Sequence, residues 1–289
     1  METTLEVFES HRPLLFSIAY RMLGSAMEAE DMVQEAYLRY QSTPTEKIES
    51  PKAFLSSIVT RLCLDYLKSA KVQRESYLGP WLPEPVYTGG SPASLVSERE
   101  SISMAFLVVM ESLTPVERAV FLLRDVFDYG YDEIAEIVEK SADNCRQIYH
   151  RAKSHLLERR PRFDTAPEDQ QKLVTGFMQA VEGGDLNTLT DILAEDVILW
   201  SDGGGKVNAA RKPIQGRDRL AKFLVHINKT FGQGSRAQVA EVNGQAALLG
   251  WLDEQLAVVF NFTVSGGQIS EIRVVVNPDK LRHLEGQLK

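Results

Sequence analysis

The stretch LTPVERAVFLLRDVFDYGYDEIAEIVEKSADNCRQIYHRAKSHLL, residues 113–157, is typical of two helices joined by a tight turn. In residues 131–138 the apolar side chains Ile134, Ala135 and Val138 recur at three- and four-residue steps, the spacing that buries one face of a helix. The pattern predicts the support helix of a helix-turn-helix.

The second helix of this unit carries bases on its outer face. In the preceding turn, Glu139 or Lys140 must take the left-handed conformation that glycine usually occupies, at a cost of about 1 kcal/mol. Ser141 is placed to N-cap the helix. The expected inward stripe is Cys145, Ile148 and Ala152. The outer face then holds Arg146, Gln147, His150 and Arg151. Because Arg and Gln can bond a base edge bidentately, this face predicts a reader of the DNA major groove. The alternative is a solvated helix in an ordinary bundle.

Composition indicates a globular chain, because 289 residues with 44% hydrophobic content can form two or three domains with their own cores. No apolar run is long enough to span a bilayer, and METTLEVFESHRPLL at the N-terminus does not resemble a signal peptide. We therefore expect a cytoplasmic protein without membrane association. Cys63 and Cys145 fall at inward positions of predicted helices, which predicts buried reduced thiols. No metal and no cofactor is expected.

Charge is segregated along the chain, although the formal net charge is −8. Residues 144–162 hold six bases and one acid, and residues 61–74 hold four bases and one acid. Residues 28–35 hold four acids and no base. This distribution predicts two contacts with DNA phosphates and one contact with a basic protein partner.

Three segments differ in their periodicity. Residues 1–74 have helical spacing, with helices predicted over residues 29–40 and 51–70, and residues 97–163 contain the helix-turn-helix. The last segment, residues 168–289, combines both periodicities. Its predicted helices are residues 170–181, 186–193 and 218–230, and its predicted strands are residues 197–200, 237–242, 245–252, 256–264 and 269–276. Gly266-Gly267 supplies a hairpin turn. The predicted fold class is multidomain: two all-α domains, the second a helix-turn-helix, followed by an α+β domain with a curved sheet wrapped around helices.

A linker, residues 75–96, separates the two helical segments, because the prolines and glycines of ESYLGPWLPEPVYTGGSPA exclude regular structure. Tyr77, Leu78, Trp81 and Leu82 would be costly to expose in such a linker. We therefore expect WLPEP, residues 81–85, to dock onto another surface of the protein.

The first two segments resemble the extracytoplasmic-function group of bacterial RNA polymerase sigma factors. AEDMVQEAYLRY, residues 29–40, is similar to that family's core-binding helix, and AFLSSIVTRLCLDYLKSAK, residues 53–71, to its minus-ten recognition helix. Residues 113–157 are similar to its minus-thirty-five reader. The remainder resembles the SnoaL-like domain of one subgroup, whose motifs stand here as WLPEP, DGGGK (residues 202–206) and NPDKL (residues 277–281). The resemblance implies a cone-shaped third domain in a promoter-specific sigma factor without catalysis of its own, for which no separate anti-sigma protein is needed.

The resemblance assigns polymerase binding to the acidic helix. Asp31, Gln34 and Glu35 lie at i, i+3 and i+4 on one helical face. Acids there can pair with bases on a coiled coil of the polymerase's largest subunit. The alternative is an acidic face that meets only solvent.

Two DNA contacts are also implied. The loop of residues 43–50 would hold an unpaired nucleobase of the promoter. Basic side chains on the following helix would bind DNA phosphates. Those bases are Arg61, Lys68, Lys71 and Arg74. The last three also favour the macrodipole of the helix C-terminus, which is an alternative role for them. The set facing duplex DNA is Ser141, Arg146, Gln147, His150 and Arg151. Arg146 and Arg151 can equally be phosphate clamps, because base readout and backbone positioning use the same residue types.

SnoaL-like domains host enzymes in some families and ligand pockets in others, so the fold alone does not assign a role to the third domain. An enzyme would need a general base inside the cone. His226 lies in a predicted helix, where a surface or packing role is the simpler interpretation. Asp202 begins DGGGK, whose backbone N–H groups and Lys206 can bind an anion or simply form a hairpin tip. A small-molecule ligand, or a bifunctional protein with an active enzyme domain, stays open as an alternative.

The fusion of the third domain to the other two predicts control in cis. A tethered domain has a high effective concentration, so even a weak contact with WLPEP would hold the DNA-binding domains in one arrangement. The residues expected at this contact belong to the three motifs: Trp81, Leu82, Pro83, Asp202, Lys206, Asn277, Asp279 and Lys280. Asp279 and Lys280 are the polar candidates, and Trp81 is the apolar anchor. We expect a monomer, since one sigma factor engages one polymerase.

Overall fold

The structure is a computed structural model that describes residues 3–44, 48–75, 77–89, 102–157 and 165–289, with the side chains of residues 70–75 and 231 outside the description. The described chain divides into two compact units. The first contains residues 3–75 and 106–157, and the second contains residues 77–89, 102–105 and 165–289. The linker that carries WLPEP therefore belongs to the same unit as the C-terminal segment.

In the part of the chain that the structure describes, seven helices lie before residue 158. They are α1 (Thr4–Leu23), α2 (Ala26–Gln41), α3 (Pro51–Glu75), α4 (Met104–Met110), α5 (Pro115–Phe121), α6 (Tyr131–Val138) and α7 (Ala142–Leu157), with a π-helical segment, Leu122–Val126, directly after α5. Local signals set several ends. Thr3 and Thr114 form capping boxes with Glu6 and Glu117, and Gly24 ends α1 in the left-handed conformation. The predicted helices in residues 1–74 are confirmed, and α3 extends beyond residue 70.

The helix-turn-helix is confirmed, with one exception on α6. Glu139 takes the left-handed conformation, with φ 56° and ψ 52°, and the Ser141 hydroxyl accepts a hydrogen bond from the backbone N–H of Asn144 at 3.3 Å. The predicted inward stripe of α7, Cys145, Ile148 and Ala152, is buried. On α6 one expectation was wrong: Ala135 is only half-buried, and Ile137 is buried instead, because the inward face follows residues 134, 137 and 138.

The second unit is an α+β domain with a curved sheet. Its elements are α8 (Pro167–Gly183), α9 (Leu186–Ile192), β1 (Leu193–Asp202), β2 (Ile214–Gln215), α10 (Arg217–Phe231), β3 (Ser235–Val242), β4 (Gln245–Leu252), β5 (Gln255–Ser265), β6 (Gln268–Val275) and α11 (Pro278–Gln287). The strand order is β2-β1-β6-β5-β4-β3; β1 runs parallel to β6, and the other neighbours are antiparallel. Phe177 of α8 packs between Phe260 and Phe262 of β5, within an apolar core that also includes Leu224 of α10.

The predicted strands and helices of this unit are all present, but two elements were missed. The two-residue strand β2 is too short to show alternation. Helix α11 begins at Pro278, with Asn277 as its N-cap accepting a hydrogen bond from the N–H of Asp279 at 3.1 Å. An Asn-Pro pair is a helix-start signal that the sequence does contain. None of the helices within the described ranges is long and apolar enough to cross a membrane.

Candidate DNA and polymerase interfaces and the linker junction

The outer face of α7 is exposed as predicted. Arg146, Gln147, His150 and Arg151 are all open to solvent. Arg146 donates to Asp143 at 2.5 Å and lies over the ring of Tyr131 at 5.2 Å, so its guanidinium is oriented by a neighbour on each helix. Lys153 on the same helix pairs with Asp125 instead of extending to solvent with this set. Arg159, Arg160 and Arg162 lie outside the described residues.

A polar network anchors α7 from behind, and sequence periodicity did not indicate it. Buried Tyr149 donates its hydroxyl proton to Asp125 at 2.7 Å, and Lys153 approaches both Asp125, at 3.1 Å, and the Tyr149 oxygen, at 2.8 Å. Burial raises the pKa of the Tyr149 phenol, and the bond to Asp125 raises it further, so this group stays a neutral donor. Helix α7 is therefore held against the rest of the unit by charged hydrogen bonds to Asp125 as well as by its apolar stripe.

The candidate polymerase face of α2 combines acids with exposed apolar residues. Asp31 and Gln34 are exposed, and Glu35 is half-buried beside Arg39, with 2.9 Å between the paired atoms. Met27 and Leu38 follow the same face one turn before and after these residues, with 47% and 54% of their surface exposed. Apolar side chains at that exposure around a polar centre are typical of a protein-binding surface.

The side chain of Arg61, a candidate DNA contact on α3, is engaged within the first unit. Its guanidinium donates to the backbone carbonyls of Ile137 at 3.1 Å and Glu136 at 2.7 Å, at the C-terminal end of α6, where unpaired carbonyls and the macrodipole attract a cation. Lys68 is exposed and pairs with Asp65 at 2.9 Å.

The other predictions for this DNA surface fall partly outside the description. The side chains of Lys71 and Arg74 lie outside the described residues, as do residues 45–47 of the candidate base pocket. The Ser50 hydroxyl at the end of that loop accepts from the N–H of Ala53 at 3.3 Å. The loop therefore leads directly into a capped α3.

Two further side chains, Tyr129 and Arg118, bond different segments of the first unit. Tyr129 donates its hydroxyl proton to Ser56 of α3 at 2.7 Å in a buried position. Buried Arg118 of α5 donates to the Met22 carbonyl at 2.6 Å and pairs with Glu111 at 2.7 Å. Together with Arg61, these bonds pack the helix-turn-helix against α1 and α3.

Asp202 is the centre of a buried junction in the second unit. It is fully buried, and its carboxylate accepts four hydrogen bonds, from the Tyr77 hydroxyl at 2.6 Å, the Leu82 N–H at 2.8 Å, the Gly204 N–H at 3.0 Å and the Lys280 ammonium at 2.8 Å. A buried carboxylate is tolerable only when it is paired and bonded in this way. Asp202 thereby joins DGGGK, the WLPEP linker and NPDKL.

Lys280 completes the junction. It is buried, donates to the Leu82 carbonyl at 2.5 Å, and its ammonium lies 4.1 Å from the Trp81 ring centre and 4.9 Å from that of Tyr77. The cation therefore has a carboxylate, a carbonyl and two aromatic faces around it. Leu82 and Pro83 are buried, and Trp81 is half-buried.

Tyr77 was not predicted as a site residue, although it connects two of the motifs. Its hydroxyl donates to Asp202 and accepts from the Asn277 amide at 3.0 Å. Burial raises the pKa of Tyr77, and the hydrogen bond to Asp202 raises it further. Tyr77 lies in the linker but outside the three motifs, and it completes the hydrogen-bond network around Asp202.

The glycines of DGGGK are required by close packing. Gly204 has φ 60°, and a Cβ there would collide with the Asn277 amide. At Gly203 a Cβ would come within 2.7 Å of the Ala209 Cβ. The hairpin-tip interpretation is therefore incomplete, since this turn is packed against two other segments of the unit.

Lys206 and Asp279 pair with each other at the rim of the junction. Asp279 also meets Arg282 at 3.0 Å, and the hydrogen bond from Lys206 lowers the pKa of Asp279. The anion site considered for DGGGK has its Gly204 N–H bonded to Asp202 and its lysine bonded to Asp279. Of the two polar candidates, Lys280 lies at the WLPEP contact itself and Asp279 lies at its rim.

The remaining candidates lie away from these sites. His226 is exposed on α10. Cys63 and Cys145 are free and buried, and burial raises the pKa of the Cys63 thiol. Among the residues that the structure describes, no cluster of three or more His, Cys, Asp or Glu side chains could hold a metal ion.

Comparison with known proteins identifies the family. Residues 7–72 match Sigma-70 region 2, and residues 103–156 match Sigma-70, region 4. The chain is 36% identical over 286 residues to the ECF RNA polymerase sigma factor SigJ of Mycobacterium tuberculosis, covering 94% of this chain and 91% of that protein. The chain belongs to the ECF RNA polymerase sigma factors. The probable ECF sigma factor SigI of the same species is 32% identical, with 97% and 96% covered.

The resemblance extends to the whole fold of this sigma factor. The crystal structure of Mycobacterium tuberculosis SigJ is similar with a TM-score of 0.76 and 32% identity, covering 96% of this chain and 97% of that one. Helix α2 and most of α3 lie in region 2, and α6 and most of α7 lie in region 4. The predicted fold class is confirmed: two all-α sigma domains are followed by an α+β domain with a curved sheet. Sigma factors of this family bind core RNA polymerase and promoter DNA.

Proposed function

We propose that this sigma factor binds core polymerase through α2 and sets its promoter preference through a C-terminal domain that holds the linker between region 2 and region 4. The polymerase contact would use Asp31, Gln34 and Glu35, facing bases on the coiled coil of the largest subunit. Met27 and Leu38 support this proposal, because they are exposed at both ends of the polar stripe. They provide apolar surface that a partner can bury, which ion pairs alone do not provide.

DNA would meet two surfaces of the first unit. On α7, Arg146, Gln147, His150 and Arg151 would face the duplex of the minus-thirty-five element, with Ser141 at the start of the helix. On α3, the contacts would come from Arg61, Lys68, Lys71 and Arg74, beside a base pocket formed by residues 43–50. Exposure of the α7 set supports the first contact.

Promoter binding would then require region 2 and region 4 to separate. Their two DNA elements, at minus ten and minus thirty-five, lie about 25 base pairs apart, which is about 85 Å along the duplex. Regions packed through Arg61, Ser56 and Arg118 are in direct contact and do not span that distance. On separation the Arg61 guanidinium would leave the α6 carbonyls and become available to phosphate.

One observation carries the proposal of control in cis: Asp202 and Lys280 bury the WLPEP segment within the C-terminal unit. That segment is the chain connection between region 2 and region 4. A connector of fixed path restricts how far the two regions can separate, and so which promoter spacings the factor accepts. Loss of the junction would release the WLPEP segment from this path and relax that restriction.

Run-off transcription with purified core polymerase tests these proposals. A template is first recovered by transcribing fragmented genomic DNA with the reconstituted holoenzyme. The full chain, a chain ending at Pro167 and Trp81→Ala are then compared on templates whose spacer between the two elements varies in length. Leu78→Ala is the matched control, because Leu78 lies in the same linker and is 52% exposed.

We expect the full chain and Leu78→Ala to prefer one spacing, and the truncated chain and Trp81→Ala to accept several. Equal activity and equal spacing preference in all four proteins would contradict control in cis. No transcription by any of them would contradict the sigma proposal itself.

We further propose that the C-terminal domain has no catalytic activity and that the factor acts as a monomer in the cytoplasm. The surroundings of the two base candidates support this: Asp202 accepts hydrogen bonds from four donors, and His226 faces solvent on α10. A small-molecule ligand in this domain stays a prediction. Phe177, Phe260 and Phe262 pack together between the sheet and α8, so a ligand would have to displace aromatic contacts.

A further inference from the structure

The C-terminal domain concentrates its positive charge in one stretch. Residues 206–229 hold seven bases and one acid, whereas the rest of residues 165–289 holds six bases and fourteen acids. The stretch contains β2 and most of α10. Neither sigma domain includes it, and the linker junction uses only Lys206 from it.

Helix α10 presents these bases on one face. Arg219, Lys222, His226 and Lys229 are exposed and recur at three- and four-residue steps, so they form a stripe about 15 Å long. The opposite face, Leu220, Ala221, Leu224 and Val225, is buried in the domain core. The preceding loop adds exposed Arg211 and Lys212. We call Arg219, Lys222, His226 and Lys229 the α10 basic face.

The bases of this face form no ion pairs within the described residues, although Asp218 lies one helical turn before Lys222. Among the residues that the structure describes, Arg219, Lys222 and Lys229 have no carboxylate within 4.0 Å, whereas Lys172 and Lys289 of the same domain are each paired. Arg219 also lies in the first turn of α10, where the macrodipole disfavours a cation. Local helix stability therefore does not account for its position.

We infer that the α10 basic face binds DNA phosphates and gives this sigma factor a third, sequence-independent contact with promoter DNA. Spaced ammonium and guanidinium groups match the regular negative charge of a duplex, and the outward stripe is long enough to meet several phosphates. Two DNA-binding domains on the same chain would keep DNA at high effective concentration, so a weak contact of this kind would add to binding. An acidic protein surface or an anionic membrane is the competing partner class, and it lacks that tether.

The test is the salt dependence of DNA binding by the full chain. The variant is Arg219→Gln, Lys222→Gln and Lys229→Gln together, and the control is Lys172→Gln, Arg236→Gln and Lys289→Gln, which removes the same charge from exposed positions elsewhere in the domain. Affinity for a fluorescent 70-base-pair duplex is measured by anisotropy between 50 and 200 mM salt, together with the thermal unfolding of each protein.

If all three bases contact phosphates, the slope of log K against log salt should fall by up to about 2.7 in the variant, so that the unsubstituted chain loses about 40-fold more affinity over this salt range. The control should keep the original slope. Equal slopes in variant and control would overturn the inference. The inference would also be overturned if the variant kept the salt slope of its DNA binding but lost binding to vesicles containing phosphatidylserine, or to core polymerase. Run-off transcription with the same proteins separates this outcome from failure of the sigma proposal, because region 2 and region 4 are intact in both.

Discussion

The reader helix α7 and the linker junction are built on opposite principles. Helix α7 presents its proposed DNA-contacting side chains to solvent from one continuous helix, and its neighbours hold it in place. The junction buries its functional side chains, and its central hydrogen bonds join residues 78, 120 and 125 positions apart in the chain. Charge at an exposed face is inexpensive to change, whereas charge in a buried junction is stabilised only by its partners. Substitution should therefore affect binding at the reader and folding at the junction.

The largest effect is expected from Asp202→Ala. It leaves the Lys280 ammonium buried without its carboxylate, and removing one partner of a buried pair costs about 3–5 kcal/mol. Chemical unfolding followed by tryptophan fluorescence is the measurement, because Trp81, Trp200 and Trp251 all lie in the second unit. A loss below about 1 kcal/mol would show that the junction is not buried in solution.

Tyr77→Phe should reveal the junction through pH. The pKa of Tyr77 is raised in the folded protein, so its neutral phenol stabilises the fold below the ordinary phenol pKa, and that contribution is lost as pH rises above it. We expect the variant to lose about 1.5–3 kcal/mol near pH 8, as for hydrogen bonds to charged groups. Its free energy of unfolding should then fall less steeply above pH 10 than that of the parent. Parallel pH profiles would contradict this assignment.

At the reader helix the same kind of change should leave stability alone. Gln147→Ala and Arg151→Ala are each expected to weaken binding to the promoter duplex by about 1–3 kcal/mol if they read bases. A phosphate contact would instead lower the salt slope by about 1 and weaken all sequences alike. Thermal unfolding within about 0.5 kcal/mol of the parent is expected, and a larger loss would mean that the face is packed.

Two substitutions of Ser141 distinguish its role as the N-cap of α7 from a role in DNA binding. Ser141→Ala removes the N-cap of α7 and should destabilise the first unit by about 1 kcal/mol, as measured by circular dichroism. Ser141→Asp keeps the cap but adds a charge that repels phosphate. Weaker DNA binding by Ser141→Asp alone would place Ser141 at the DNA, and normal binding would assign it to the cap.

The smallest effect is expected at the rim of the junction. Asp279→Ala removes an exposed pair with Lys206, which should cost about 0.2–1 kcal/mol at neutral pH and less in high salt. The pKa of Asp279 is lowered, so its contribution is present above the ordinary aspartate pKa and is lost as pH falls through the folded value. Near pH 2 the variant and the parent should have the same stability. A loss as large as that of Asp202→Ala would contradict the distinction between rim and centre.

The sequence predicted more of the structure of α7 than of the linker junction. On α7 it predicted the inward stripe, the exposed set, the Ser141 cap and the left-handed residue, since each follows from spacing along one helix. In the junction it predicted WLPEP docking and named Lys280, but the roles of Tyr77 and Gly204 were missed. Their signals were present: a tyrosine in an exposed linker, and consecutive glycines next to an aspartate.

The network behind α7 could not be read from the sequence either. Tyr149 and Lys153 lie one turn apart on the helix, yet they meet at Asp125, which lies 24 and 28 positions earlier in the chain. Arg61 is another such case, because its bonds to α6 carbonyls cross 75 and 76 positions. Nothing in the spacing around Arg61 distinguishes a phosphate contact from a helix cap.

The sequence by itself determined the helices, their caps, the helix-turn-helix and the separation into two sigma segments and an α+β domain. Those features depend on periodicity and backbone hydrogen bonds within a few residues, which are the same wherever the segment lies in the fold. Only the tertiary structure decided that Asp202 is a buried centre rather than a turn residue, and that Arg61 binds a helix end. A side chain's burial and partners depend on segments distant in sequence, and burial is what makes a carboxylate's hydrogen bonds essential.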